Sequence, residues 1–174
     1  MKWVRELTAA DRPRLAEQLA ASWGSTRVVS SGRLHEATDL PGFIALDGER
    51  WLGYSAYEIV GVSMEVVVLD SPMPTGGAGS ALMAACADLA LQRGLERLWL
   101  VTTNDNLHAL RFYQRCGFVL VALRPGAVDE VRRTLKPEIP TVGLDEIPVR
   151  DELELELPRD VWPGFVERYR WPSI

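Results

Sequence analysis

Cysteine and histidine are scarce in this 174-residue sequence, which contains two of each. Cys86 and Cys116 form no CxxC pair. Only His35 and His108 could supply imidazole ligands. Structural metal sites in proteins usually draw on closely spaced groups of such side chains. We therefore expect no metal, and we expect both cysteines to be small, buried apolar residues.

Long apolar runs and an excess of positive charge are also missing. No window holds the roughly 18 consecutive apolar residues of a membrane-spanning helix. Residues 1–13 lack the apolar segment of a signal peptide. The formal net charge of -5 disfavours a broad phosphate-binding surface. We expect a cytoplasmic protein, monomeric or homodimeric, that binds neither membranes nor nucleic acid.

The composition is that of one folded domain with a short extension. Apolar residues make up 47% and charged residues 25% of the chain, an ordinary globular balance. The length suits a single domain, which we predict over residues 1–157. Residues 158–174 form a C-terminal tail that we expect to pack on this domain or on a partner chain. Its aromatic residues are Trp162, Phe165, Tyr169 and Trp171.

Hydrophobic periodicity predicts strands and helices along most of the chain. Strands are expected at residues 3–7, 43–46, 51–59, 62–69, 97–102, 118–124 and 151–157. Helices are expected from residue 11 to 23 and at residues 76–93, 106–115 and 127–135. Residues 97–102 are continuously apolar, as in a parallel strand buried on both faces, and residues 151–157 alternate like a half-buried strand. The order predicts an α/β (α+β) fold, with an antiparallel meander followed by β-α-β-α-β.

Residues 24–40 interrupt this regular pattern. The segment is polar and contains glycine and serine, and Pro41-Gly42 marks its end. Leu34 and His35 are expected to lie on a single helical turn within it. We predict an exposed loop that carries functional residues.

The glycine-rich segment at residues 75–80, TGGAGS, lies between a predicted apolar strand and a long predicted helix. Glycines there leave room for a ligand, and the first amides of a helix are unpaired and carry its positive dipole end. The segment therefore predicts an anion site. It lacks the lysine of a P-loop and the GxGxxG spacing of dinucleotide-binding folds. The alternative is a tight turn without a ligand.

A second motif follows at residues 106–118, and with both motifs in order the chain resembles the GNAT family of N-acetyltransferases. That family's first motif, Q/R-x-x-G-x-G/A, is matched by PTGGAG at residues 74–79. Pro74 replaces the usual glutamine or arginine, so one contact to phosphate is missing. The second motif, NxxAxxFYxxxGF, is matched in full from Asn106 to Phe118.

The resemblance implies a mixed, mostly antiparallel central sheet of about seven strands, flanked by helices. A splayed strand pair in that sheet would hold acetyl-coenzyme A, the expected co-substrate. Backbone groups of Val67 and Leu69 would bind its pantetheine arm. The residues implied to bind the rest of the coenzyme are Thr75, Gly76, Gly77, Ala78, Gly79, Ser80 and Asn106.

The resemblance also implies two catalytic side chains. Tyr113 matches the tyrosine that protonates the departing thiolate, and its alternative is a core tyrosine beside Phe112. Glu65 matches a glutamate that acts as the general base, directly or through water. Its alternative is a solvent-facing residue on the polar side of a strand. Asn106 has the alternative role of a helix N-cap.

The acceptor implied by the resemblance is a primary amine of a small molecule or protein. Its site would be walled by residues 23–40 and by the loop LKPEIP at residues 135–140. Trp23, Arg27, Arg33 and Lys136 are the candidate acceptor-binding residues. A non-catalytic module that senses acyl-coenzyme A is the alternative function, and a donor with a longer acyl group is a further possibility.

Overall fold

The computed structural model describes residues 1–72 and 76–173 of the chain. Nine strands lie in this part: β1 Lys2–Glu6, β2 Arg27–Ser30, β3 Arg33–Glu36, β4 Gly42–Asp47, β5 Arg50–Val60, β6 Ser63–Asp70, β7 Arg97–Thr103, β8 Val119–Arg124 and β9 Glu152–Glu156. The α-helices described are α1 Arg12–Trp23, α2 Ala78–Gln92, α3 Leu107–Arg115, α4 Ala127–Thr134 and α5 Trp162–Tyr169.

Seven of these strands form one sheet in the order β1-β4-β5-β6-β7-β9-β8. Every neighbouring pair is antiparallel except β6 and β7, which run parallel. The mixed, mostly antiparallel sheet flanked by helices confirms the predicted fold class.

The parallel strands β6 and β7 separate soon after they meet. They pair only at Ser63 with Arg97, Met64 with Leu98 and Glu65 with Trp99. Beyond that point β6 stays paired with β5 and β7 stays paired with β9. The register with β5 also shifts so that Val67 has no partner, which is a β-bulge of the kind that bends a strand. The sheet therefore has the predicted splayed opening between β6 and β7.

Helix α2 is the centre of the larger core. It is rich in alanine and leucine, and nine of its residues are buried against the sheet and helix α5. Helix α5 belongs to the C-terminal tail, and Trp162 at its start is fully buried, with its indole Nε1 donating to Leu157 O at 2.8 Å. A smaller core lies on the opposite side, where Leu15 and Leu19 of α1 are fully buried. The tail thus packs on the body of its own chain.

The predicted loop over residues 24–40 is wrong, because β2 and β3 form a β-hairpin there. Ser31 and Gly32 at its tip have φ values of 51° and 71°, as a type I′ turn requires. Val28, Ser30 and His35 are buried on its inner face. The predicted helical turn at residues 34–35 is wrong too, since both lie in β3. The polar character that suggested a loop comes from an inner face that contacts charged residues of the sheet.

The burial predicted for two strands, β7 and β9, needs correction. β7 is parallel to β6 but antiparallel to β9, and its side chains alternate between buried and half-buried rather than being buried on both faces. β9 was expected to be half-buried, yet Glu152 and Glu154 are both buried. They are covered because Arg97 and Arg124 form ion pairs with them. The other predicted strands and helices agree to within two residues at each end. Among residues 1–72 and 76–173, no helix combines the length and apolarity that crossing a membrane requires.

The Asp11 carboxylate links the start of α1 to β1, and substitution of Asp11 tests how much this link stabilises the fold. Its carboxylate accepts hydrogen bonds from Arg5 Nη1 at 2.7 Å and Nη2 at 2.8 Å, and from the Thr8 amide at 2.8 Å. The hydrogen bond from Arg5 holds the pKa of Asp11 far below its usual range. We expect Asp11→Asn to lower the free energy of unfolding at pH 7 by about 1–3 kcal/mol, because the amide cannot accept both guanidinium bonds.

The same substitution has a predictable pH dependence. A lowered carboxyl pKa stabilises the fold above the unfolded-state value near ~4, and that stabilisation is lost as the pH falls below it. Urea unfolding at pH 7 and pH 3 should therefore show a difference between wild type and variant that shrinks in acid. The exposed Asp160→Asn is the control. Equal stabilities of wild type and Asp11→Asn at pH 7 would contradict the role assigned to this carboxylate.

Candidate active site

A groove opens between the N-terminus of α2 and helix α3. Its lining combines glycines and other small residues with an aromatic pair and two arginines: Leu69, Ser71, Gly77, Ala78, Gly79, Ser80, His108, Ala109, Arg111, Phe112, Tyr113 and Arg115. Six residues predicted to act on the coenzyme or in catalysis thus come together. Thr75, also predicted, and Pro74 lie outside the described residues.

The N-terminus of α2 faces this groove, and its first amides have no hydrogen-bond acceptor within residues 1–72 and 76–173. Gly77 is the N-cap and has a φ of 75°, a left-handed conformation that favours glycine. The Ala81 amide donates to Gly77 O at 3.0 Å. The amides of Ala78, Gly79 and Ser80 come before this bond in the first turn, where a helix offers no internal acceptor. Together with the helix dipole, these amides favour an anion.

Gly79 has a structural reason for lacking a side chain. A Cβ at this position would lie 3.1 Å from Phe112 Cζ, closer than ordinary contact. Helix α3 therefore packs directly against the first turn of α2. The family motif's final glycine serves helix packing here in addition to leaving room for a ligand.

This contact predicts the effect of Gly79→Ala. The added methyl group should push Phe112 and α3 away from α2, widen the groove and lower the midpoint of thermal unfolding by a few degrees. Coenzyme A affinity, measured by calorimetry, should fall as well. Gly164→Ala in α5 is the matched control, because a Cβ there meets nothing within 4 Å. If Gly79→Ala behaves like Gly164→Ala, the packing argument is wrong.

Arg111 and Arg115 are functional candidates that the sequence reasoning missed. They lie one helical turn apart on α3, and both line the groove. Their spacing of four residues within the second motif was the available signal. Arginine side chains bind phosphate oxygens well, so they add positive charge to an anion site. His108, expected on the surface, is exposed and also lines the groove.

Tyr113 lies deep in the same groove. Its side chain is 8% exposed and packs between Phe112 and Phe118, with ring centroids 5.3 Å and 5.7 Å away. Desolvation, with a smaller effect from nearby Cys116, raises the pKa of Tyr113 above its ordinary value. The phenol therefore keeps its proton at neutral pH and can donate it.

Three other residues predicted to bind the coenzyme, Asn106, Val67 and Gly76, are not part of the groove lining. Asn106 caps α3, since its Oδ1 accepts from the Ala109 amide at 3.1 Å. Val67 is the bulged residue of β6 and lies beside the splayed opening. The carbonyl of Gly76 accepts a hydrogen bond from Lys2 Nζ at 3.0 Å.

Glu65 lies on the other side of the sheet opening, beneath the β2–β3 hairpin. Only 2% of it is exposed, so its solvent-facing alternative is wrong. The Ser30 hydroxyl donates to Glu65 Oε1, and Arg33 Nη2 donates to Oε2 at 3.0 Å. Arg33 also lies 2.7 Å from Glu58 Oε2.

The remaining predicted acceptor residues surround the same hairpin. Lys136 is buried and its Nζ donates to the Arg27 carbonyl at 2.6 Å. Desolvation lowers the pKa of Lys136. The Arg27 side chain is half-exposed and forms an ion pair with Glu138 at 3.4 Å. Trp23 is the last residue of α1 and is 44% exposed. The two loops predicted to wall the acceptor site therefore meet through the bond between Lys136 and Arg27.

Comparison with known proteins agrees with this geometry. The Acetyltransferase (GNAT) family model matches residues 5–118, and the chain belongs to this family. The Bacillus subtilis protein YxbD is 37% identical over 134 residues, which cover 76% of this chain and 84% of YxbD.

Solved structures share the fold at low sequence identity. IAA acetyltransferase from Bacillus cereus is 17% identical, with a TM-score of 0.69 over 90% of this chain and 99% of that one. A Bacillus subtilis acetyltransferase solved in complex with CoA is 16% identical, with a TM-score of 0.64 over 91% of this chain and 99% of that one. The predicted family and fold are thereby confirmed.

Proposed function

We propose that this protein transfers the acetyl group of acetyl-coenzyme A to a primary amine of a small molecule or protein by direct attack. One observation carries the proposal. The start of α2 with its first-turn amides, the two arginines of α3 and the buried Tyr113 all line a single groove. Such a groove offers an anion site and a proton donor a short distance apart.

The coenzyme would extend from this groove into the splayed opening. The amides of Ala78, Gly79 and Ser80 would bind its diphosphate, with Gly76 and Gly77 leaving room for it to approach. Arg111 and Arg115 supply cationic groups for the other phosphate oxygens. Beyond Glu65, the edge of β6 that faces the opening has no β7 partner. Its backbone groups at Val67 and Leu69 can therefore hydrogen-bond the pantetheine arm, and Asn106 supports this end of α3.

The chemistry needs one base and one acid from this chain. Acetyl-coenzyme A supplies the acyl group as a thioester. The acceptor nitrogen, cationic at neutral pH, loses one proton to Glu65, or to a water molecule that it holds, before it attacks the carbonyl carbon. It releases a second proton to solvent as the amide forms. When the carbon–sulfur bond breaks, Tyr113 donates its phenolic proton to the departing thiolate. Proton and charge are then balanced when Glu65 returns a proton to Tyr113 through solvent.

Turnover by Tyr113→Phe tests this assignment. We expect thiol release from acetyl-coenzyme A with an amine panel to fall by about 10²-fold or more, because no phenol remains to protonate the thiolate. Coenzyme A affinity should change little, since the ring still fills the groove. Tyr57→Phe is the matched control: Tyr57 is also buried, but it lies in β5 outside the groove lining.

The outcomes separate the two candidate functions. Unchanged turnover in Tyr113→Phe would remove this residue from the mechanism. Coenzyme binding by the wild type without thiol release for any amine would overturn the enzymatic proposal and support the acyl-coenzyme A sensor instead.

A further inference from the structure

A cluster of buried polar atoms lies between the β2–β3 hairpin and the sheet. His35, Glu58 and Glu65 each place one ligand atom within 4.8 Å of the others. His35 is 6% exposed and Glu65 is 2% exposed. His35 Nε2 is buried and has no hydrogen-bond partner among the described residues, and Glu58 Oε2 is in contact with Arg33 Nη2 at 2.7 Å without a well-aligned hydrogen bond. Buried polar atoms are rarely left in this state, so the cluster calls for an explanation.

The register of the strands brings these atoms together. Glu58 of β5 and Glu65 of β6 are directly opposite each other, and like charges in that relation repel. The inner face of the hairpin lies over them, with His35 opposite Val28 in the hairpin register. Two carboxylates and an imidazole therefore meet at a site where Glu65 and His35 are buried and Glu58 is partly exposed. Such a group favours a cation.

Arg33 fills this place only in part. Its Nη2 donates to Glu65 Oε2 at 3.0 Å and lies 2.7 Å from Glu58 Oε2, but this second contact lacks hydrogen-bond geometry. His35 Nε2 receives nothing from it. The Arg33 side chain is 48% exposed, so it can leave the cluster without disturbing the core.

The arrangement suits a primary ammonium group better than a guanidinium. An ammonium carries three N–H donors in tetrahedral directions, and acceptors at ~2.8 Å from its nitrogen stand about 4.6 Å apart. A guanidinium is planar and cannot direct three donors from one nitrogen. The three ligand atoms lie within 4.8 Å of one another, so one ammonium nitrogen can reach all of them.

The position of the cluster connects it with the splayed opening. Glu65 and Trp99 form the last paired position of β6 and β7 before the strands separate. A cation bound by Glu65 therefore lies at the closed end of the opening, on the side covered by the hairpin.

We propose that Glu58, Glu65 and His35 form a subsite for the primary ammonium group of the acceptor, and that Arg33 occupies it until the acceptor displaces it. The inference rests on the proposed function and specifies its acceptor: an unhindered primary alkylamine that is cationic at neutral pH. Glu58 and His35 are specificity-determining residues in this site. Arg33 is a resident counter-ion rather than a substrate ligand.

The presence of only two histidines makes the test direct. The side-chain ¹⁵N signals of the full-length protein should report His35 at the ammonium subsite and His108 at the coenzyme groove, with His108→Gln giving the assignment. We titrate n-butylamine, its neutral analogue n-butanol, zinc chloride and coenzyme A separately at pH 7.5. The expected result is a saturable shift of His35 with n-butylamine, no shift of His35 with n-butanol, and a shift of His108 alone with coenzyme A.

Variants distinguish a binding subsite from a merely structural cluster. Glu58→Gln should weaken n-butylamine binding by about 5–10-fold through loss of a charged hydrogen bond. Arg33→Ala should strengthen it several-fold because the competitor is gone, and Arg33→Lys should weaken it because its own ammonium fills the site. Glu156→Gln is the charge-matched control: its strand position is in line with Glu65 and Trp99, but it forms an ion pair with Arg97. Its affinity should match the wild type within twofold.

Several results would overturn the inference. These are no shift of His35 with n-butylamine, an equal shift with n-butanol, a shift with zinc alone, or weaker amine binding by Arg33→Ala. If Glu58→Gln does not affect acetyl transfer to n-butylamine, the proposed subsite is contradicted and the proposed function is not. If n-butylamine shifts the His35 signal but no thiol is released from acetyl-coenzyme A, the proposed function is contradicted and the subsite is not.

Discussion

The structure depends on the early parting of β6 and β7. The two parallel strands pair at three positions and then separate, while β5 and β9 hold each from its outer side. Because the strands leave each other at Glu65 and Trp99, a sheet that would otherwise be continuous has an opening with free backbone groups. Helix α2 follows β6 in the chain, so its N-terminus comes to the open end. The β2–β3 hairpin covers the closed end.

Opposite charges hold the hairpin on the sheet. Arg124 donates to Ser31 Oγ at 3.3 Å near the hairpin tip and also pairs with Glu154 of β9. Burial, opposed by Arg124, raises the pKa of neighbouring Glu152. A groove lined by Arg111 and Arg115 and a sheet face rich in carboxylates therefore lie on either side of the opening. This division suits an anionic donor on one side and a cationic acceptor on the other.

Local patterns predicted the fold because they depend on short stretches of chain. The glycines before α2 and the motif around Tyr113 each lie within one turn and one helix, and their order identifies the family. The hairpin was missed because its inner face carries Ser30, Arg33 and His35, which are typical of loops, and the carboxylates that Ser30 and Arg33 contact lie far away in the sequence. Glu58 gave no signal, since its role depends on the register that places it opposite Glu65.

Amide hydrogen exchange at the start of α2 is the most direct test of the central claim, that this helix binds the coenzyme. Exchange of the Ala78, Gly79 and Ser80 amides should slow markedly when coenzyme A is added, because the diphosphate gives them acceptors that the helix does not. Exchange in β1 should be unchanged. Coenzyme A that binds, as shown by calorimetry, yet leaves these three amides exchanging at their original rates would contradict the account.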